Sequence, residues 1–169
     1  MTGNSRSGKS PTRWYVVSED VTDRELAERA CLAVLDVVRA RTRRITVDAY
    51  SDYRDSLSAR AQAPQDELRA RGQLSTGRNR GDPGMGVELD PSRPADWDLV
   101  RAYAAWSIHV ELDSAESTLA TLHDCGHSIG AELTEAEADQ LAHLLAGVLR
   151  VEPLEEWRKR DKADRRGRR

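Results

Sequence analysis

Phenylalanine is absent from the 169-residue chain, and isoleucine and lysine each occur only three times. Leucine, isoleucine and valine together make up 19% of the residues. That share is close to the level below which a chain cannot bury enough apolar surface to fold throughout. We therefore expect one small hydrophobic core flanked by solvated segments, and the length fits a single domain.

The chain is also poor in cysteine and in long apolar runs. Two cysteines, Cys31 and Cys125, are too few for a disulfide framework and fit free thiols in a reducing compartment. The polar stretch 1–13 lacks the apolar core of a secretory signal. No segment reaches the roughly 18 apolar residues of a membrane-spanning helix. These absences predict a soluble, cytoplasmic protein that makes no membrane contact.

Charge is distributed unevenly along the chain. The net charge is -3, but residues 1–13 carry +3 and residues 157–169 carry +6, so that the 143 residues between them carry -12. Basic ends on an acidic body predict either an acidic partner for the ends or ends that fold back on the body.

The pattern of apolar residues predicts an α+β fold. We expect a small antiparallel sheet of three or four strands with two or three helices packed on one face. The expected order is β-α-α-loop-β-β-β-α, followed by a basic C-terminal tail. In domain terms this gives a disordered polar leader at 1–12, a single α+β domain at 13–152 with a long loop at 73–95, and a charged helical stub with a basic tail at 153–169.

Capping-box sequences predict where two helices begin. Thr22 with Glu25, and Thr134 with Glu137, have the spacing at which each side chain caps a backbone amide of the first turn. The other predicted elements are a strand at Trp14–Val17, helices at Val47–Ala61 and Pro64–Gly72, and a strand at 107–112, with 98–106 left open between strand and helix.

The strongest local signal is a hairpin turn at Cys125 and Gly126, because a two-residue primed turn needs a positive φ that glycine adopts freely. The resulting register pairs Leu122 with Ile129 and places all but one of the apolar side chains of both strands on one face. A shift of one residue would invert that face.

His123, Cys125 and His127 have the spacing of a metal cluster. The hairpin register places the two histidines on opposite faces and the cysteine in the turn, whereas a zinc site needs converging ligands. We therefore predict no metal centre from these three residues, although His109 with one of the hairpin histidines is left open. Cys125 also lacks a third group that would orient a catalytic pair.

Residues 3–10 match the phosphate-binding loop pattern GxxxxGK[ST]. That loop works only between a strand and a helix, which bring its backbone amides onto the phosphates. Neither element is predicted beside it, so we expect no nucleotide cofactor.

Carboxylates cluster around the glycines of the long loop. Such clusters can hold a divalent cation, and together with His109 or His123 they would suit a small metal-dependent hydrolase or nuclease. A solvated loop explains the same residues and is the interpretation we favour. The carboxylates are Asp82, Glu88, Asp90, Asp96 and Asp98.

The basic tail is the main functional candidate. Arginine binds phosphate in a bidentate manner, and tryptophan can stack on a base. The predicted binding site for nucleic acid or another acidic partner consists of Trp157, Arg158, Lys159, Arg160, Lys162, Arg165, Arg166, Arg168 and Arg169.

These observations favour a non-enzymatic binding or regulatory domain that needs no cofactor. Its acidic core would engage a protein, and its Arg-rich tail would contact nucleic acid or another acidic partner. Two alternatives are left open: the metal-dependent hydrolase, and an inhibitor or immunity-type protein that binds one protein partner through an exposed sheet face.

Overall fold

The computed structural model describes residues 11–17, 21, 23–75 and 81–167. Most of the expected polar leader, including the phosphate-loop pattern, lies outside the described residues. The hydroxyl of Thr12 donates to a carboxylate oxygen of Glu132 at 2.6 Å. Within the described part of the chain, no helix is long and apolar enough to cross a membrane.

In the described residues, seven strands form one antiparallel sheet, in the order β3-β2-β4-β5-β6-β1-β7. The predicted sheet of three or four strands was therefore wrong. The strands are β1 (Arg13–Val17), β2 (Arg44–Asp48), β3 (Val87–Leu89), β4 (His109–Asp113), β5 (Thr118–His123), β6 (Ser128–Leu133) and β7 (Val151–Pro153).

The described part of the chain has five α-helices, which are interspersed among the strands, so the predicted order was wrong as well. The observed order is β-α-β-α-β-α-β-β-β-α-β-α. The helices are α1 (Arg24–Val38), α2 (Ala59–Ser75), α3 (Pro94–Tyr103), α4 (Glu135–Leu144) and α5 (Leu154–Gly167).

One of these differences has a local physical cause, and so does the outcome of the segment that the sequence leaves open at 98–106. The segment predicted as a helix from Val47 begins as strand β2, in which buried Ile45 and Val47 flank the half-buried Thr46. The segment 98–106 continues helix α3 and a 3₁₀ turn instead of a strand, because Trp97, Val100 and Tyr103 are buried at helical spacing.

Helix caps agree partly with the predicted signals. Thr134 and Glu137 form the expected capping box at the start of α4. At α1 the cap is Asp23, whose carboxylate accepts a hydrogen bond from the amide of Glu25 at 2.6 Å. Thr22, the predicted cap, lies outside the described residues.

The sheet has an inner and an outer face. On the inner face, α1 packs on β5 and β6, and α4 packs on β6 and β7. Apolar side chains such as Val17, Val47, Val110 and Leu122 point into this core. Helix α5 contacts β1 and β7 and lines clefts with Trp14 and Val16. These two side chains alternate with the inner-face residues of β1, so α5 lies on the outer face. Helices therefore lie on both faces, not on one as predicted.

The hairpin prediction is confirmed in its register, since Leu122 pairs with Ile129 and Ala120 pairs with Ala131. Cys125 and Gly126 both have positive φ, of 58° and 82°, as a type I′ turn requires. The turn packs closely on α1: a Cβ placed on Gly126 would lie 3.0 Å from Cys31 Sγ and 3.1 Å from Ala27 Cβ.

Gly126→Ala is expected to destabilise the fold more than Gly147→Ala. Both glycines have positive φ, so each alanine costs about 1–2 kcal/mol of unfolding free energy. Only the Cβ at position 126 also meets α1, because the space around Gly147 is open. We expect at least about 1 kcal/mol more loss for Gly126→Ala in urea unfolding. Equal losses would show that α1 does not approach the turn.

Candidate functional site

Helix α5 contains the predicted basic binding residues and lies against the sheet. Leu154 and Trp157 line a cleft of about 450 Å³ together with Val16 of β1. Arg160, one turn further on, forms an ion pair with Glu152 of β7. Trp157 therefore faces the sheet of its own chain, where it is half-buried in the wall of this cleft.

The opposite side of α5 carries exposed basic side chains. Lys159, Lys162 and Arg166 recur at steps of three and four residues and so share one helix face. Arg158 lies on the same face, four residues before Lys162, whereas Arg165 lies beside it and pairs with Asp161 at 2.9 Å. We call Arg158, Lys159, Lys162 and Arg166 the basic row. Among the residues that the structure describes, none of these four forms an ion pair.

The helix dipole accounts for only part of this charge. Glu155 and Glu156 lie in the first turn of α5, and Arg165 and Arg166 lie in its last turn, as the dipole favours. The effect does not extend beyond the terminal turns. Arg158, Lys159 and Lys162 therefore need another explanation.

The two C-terminal arginines of the predicted site, Arg168 and Arg169, lie outside the described residues. The other seven predicted residues all lie on α5, which continues as one helix to Gly167. Trp157 and Arg160 lie towards the sheet, Arg158 and Lys159 are exposed but line a cleft with Trp14 and Pro153, and the remaining three are exposed.

The outer sheet face beyond α5 is polar and acidic. Asp48, Glu88 and Glu111 lie on it, next to half-buried Thr46 and Thr121. These side chains alternate with the buried inner residues of their strands. The face is therefore open to solvent over β2, β3 and β4.

His109 and His123 meet on this outer face because they are directly opposite each other in the β4–β5 register. Their Nδ1 atoms are 3.0 Å apart, and the ring centroids are 4.5 Å apart. Glu111 places a carboxylate oxygen 3.7 Å from His109 Nε2. Within the described residues, no group of three or more His, Cys, Asp or Glu side chains is arranged to hold a metal ion.

The other hairpin histidine lies elsewhere. A ring nitrogen of His127 is within hydrogen-bonding distance of the carbonyl oxygen of Val21. The structure therefore separates His123 from His127, as the hairpin register requires. Sequence reasoning left a His109 pair open but missed Glu111, which counting along β4 from His109 could have placed on the same face.

Three of the loop carboxylates, Asp82, Asp90 and Asp96, accept hydrogen bonds that stabilise the loop. Asp82 accepts from the amide of Gly84 at 2.8 Å, and Asp90 accepts from the amide of Ser92 at 2.9 Å. Burial of Asp96 opposes its ionisation, but hydrogen bonds from the Asp90 amide and the Arg71 guanidinium outweigh it and hold its pKa below the usual value. These bonds give the carboxylates a structural role.

Neither cysteine is activated as a nucleophile. Burial raises the pKa of the Cys31 thiol to about 12 and also raises the pKa of Cys125, although Arg24 acts against both shifts. Arg24 donates to the carbonyl oxygen of Cys125 at 3.0 Å. A catalytic thiol needs a lowered pKa, so the environment of both residues favours the protonated form.

Comparison with known proteins gives no assignment. No family model, curated protein or solved structure matches the chain. Function must therefore be inferred from the charges and side chains on the two faces of α5 and on the outer sheet face.

The thiols are expected to react slowly in the folded protein. Because their pKa values are raised, the thiolate fraction at pH 7.5 is below that of a free cysteine. Iodoacetamide labelling followed by mass spectrometry should modify Cys125 slowly and Cys31 only after unfolding. Rapid labelling of Cys31 in a folded Cys125→Ser variant would contradict the burial of Cys31.

Stability should also fall at high pH. The thiol of Cys31 keeps its proton up to about 12 in the folded protein, against 9.0 ordinarily. The unfolded state therefore loses this proton first, and the free energy of unfolding should decrease as the pH rises from 9 towards 12. Urea unfolding of wild type and Cys31→Ala at pH 8 and 10 measures this, since the variant should lose less stability between the two values. An equal loss in both proteins would contradict it.

Proposed function

We propose that the protein is a non-enzymatic binding protein whose helix α5 binds the phosphate backbone of a nucleic acid through the basic row. The observation that carries this proposal is the division of α5 into two sides. One side packs on β1 and β7 through Leu154 and Trp157. The other presents unpaired basic side chains to solvent.

The fixed position of the row favours binding. Packing of α5 on the sheet holds the basic side chains on one rigid element, so less conformational freedom is lost when a ligand binds than for a flexible tail. Residues four apart on a helix are separated by about 6 Å along its axis. A straight row of this kind can follow a strand of phosphates.

The charge density of the ligand favours a nucleic acid over an acidic protein. Duplex DNA carries one negative charge per roughly 1.7 Å of its axis, which is denser than the mixed charges of a typical protein surface. The net charge of the chain is -3, so overall attraction to a polyanion is weak. Binding would depend on the local row and would be sensitive to salt.

The acidic outer face is a second candidate surface, for a protein partner. Asp48, Glu88 and Glu111 lie on it, opposite to the buried side chains of their strands. An acidic surface of this kind steers a basic protein towards it. This surface supports the inhibitor-type alternative and does not compete with the basic row.

Lys159→Gln/Lys162→Gln should weaken binding to a fluorescent oligonucleotide, measured by anisotropy between 50 and 200 mM salt. The loss of two phosphate contacts should make the negative slope of log K against log salt shallower, by about 1.4 for a single strand or about 1.8 for a duplex. These two side chains are exposed and unpaired, so the fold should remain intact.

Arg93→Gln/Arg150→Gln is the matched control, because it removes the same charge from exposed sites outside α5. The control should leave the salt slope unchanged. An equal effect of both double variants would show that only net charge matters and would contradict the proposal. Binding of polyglutamate but of neither DNA nor RNA would assign α5 to an acidic protein instead.

A further inference from the structure

We propose that His109 and His123 form a two-imidazole site for a tetragonal divalent ion, Cu²⁺ or Ni²⁺, on the outer sheet face. The pair is set by backbone pairing, since His109 and His123 are direct partners in the β4–β5 register. The sheet therefore holds both rings before any ion arrives. This site is separate from the basic row of α5.

The two separations fit an ion held at a right angle. Imidazole nitrogens bind such ions at about 2.0–2.1 Å, so two of them at 90° lie about 2.9 Å apart, and at the tetrahedral angle about 3.4 Å apart. The observed Nδ1–Nδ1 distance is 3.0 Å, at which one ring donates a hydrogen bond to the other, and an ion would replace the proton between them. The ring-centroid separation of 4.5 Å equals the value of about 4.5 Å expected when both rings point at one ion from perpendicular directions.

Glu111 favours the tautomer that binds a metal. Its carboxylate lies 3.7 Å from His109 Nε2, beyond hydrogen-bond distance, and its negative charge favours a proton on that nitrogen rather than on Nδ1. Nδ1 of His109 then carries the lone pair that faces His123. Carboxylates commonly orient metal-binding histidines in this manner.

The class of ion follows from the ligand count and geometry. The described residues supply no third His, Cys, Asp or Glu to the same point, so a closed structural zinc site does not fit. Cu²⁺ and Ni²⁺ accept nitrogen ligands at right angles, and Cu²⁺ binds most tightly among the divalent ions of the first transition row. Water would occupy the remaining positions, which leaves the ion accessible from solvent.

The test is a titration of the untagged chain with Cu²⁺, in which calorimetry measures the stoichiometry and affinity and electron paramagnetic resonance identifies the ligands. We expect one site per chain whose hyperfine pattern shows two imidazole nitrogens. His109→Ala and His123→Ala should each weaken binding at least about tenfold, because each removes a ligand that the sheet holds at high effective concentration. Each variant should retain one nitrogen.

His143→Ala is the matched control, since it removes an exposed imidazole on α4, and it should bind Cu²⁺ like the wild type. A single coordinated imidazole in the wild type, or equal weakening in all three variants, would overturn the proposal. The resonance spectrum of the unmodified protein decides the question even where a variant fails to fold.

Discussion

The close approach of α1 to the β5–β6 turn is the constraint on which the rest of the structure depends. Gly126 leaves no room for a side chain against Ala27 and Cys31, and Arg24 at the start of α1 donates to the carbonyl oxygen of the neighbouring Cys125. The turn also bonds back to the segment before β4, through the amide of Asp124 and the carbonyl oxygen of Ile108 at 3.0 Å. One glycine therefore positions a helix, a hairpin and a third strand together.

This arrangement determines which chemistry is possible on each face. Once Leu122 and Ile129 point towards α1, alternation along the strands sends His123 to the outer face, where β4 brings His109 beside it. The same alternation along β1 leaves Val16 for α5 to cover. The position of the basic helix and that of the imidazole pair thus both follow from the alternation of side chains along neighbouring strands of one sheet.

The hairpin and the capping box at Thr134 could be predicted because their signals lie within a few residues of chain. The size of the sheet could not be predicted, because edge strands β3 and β7 have three residues each, too few to show alternation. Their partners are also distant in sequence, as in the pairing of Val17 with Val151. The basic charge of the tail was evident from composition. The sequence did not show which side of α5 faces the sheet, because the pairing of Arg160 with Glu152 depends on the position of β7.

The charge split along the sequence allowed two outcomes for the basic end, and the structure shows one of them, the folding back of the end onto the body, at Arg160. Arg160 folds back onto the acidic body through Glu152, whereas Arg158, Lys162 and Arg166 stand four residues apart on the solvent side. Like charges at that spacing destabilise a helix by about 0.2–0.5 kcal/mol per pair. A row of phosphates along this side would replace the repulsion with attraction. The helix that presents the basic row is therefore also the element that an anionic ligand would stabilise most.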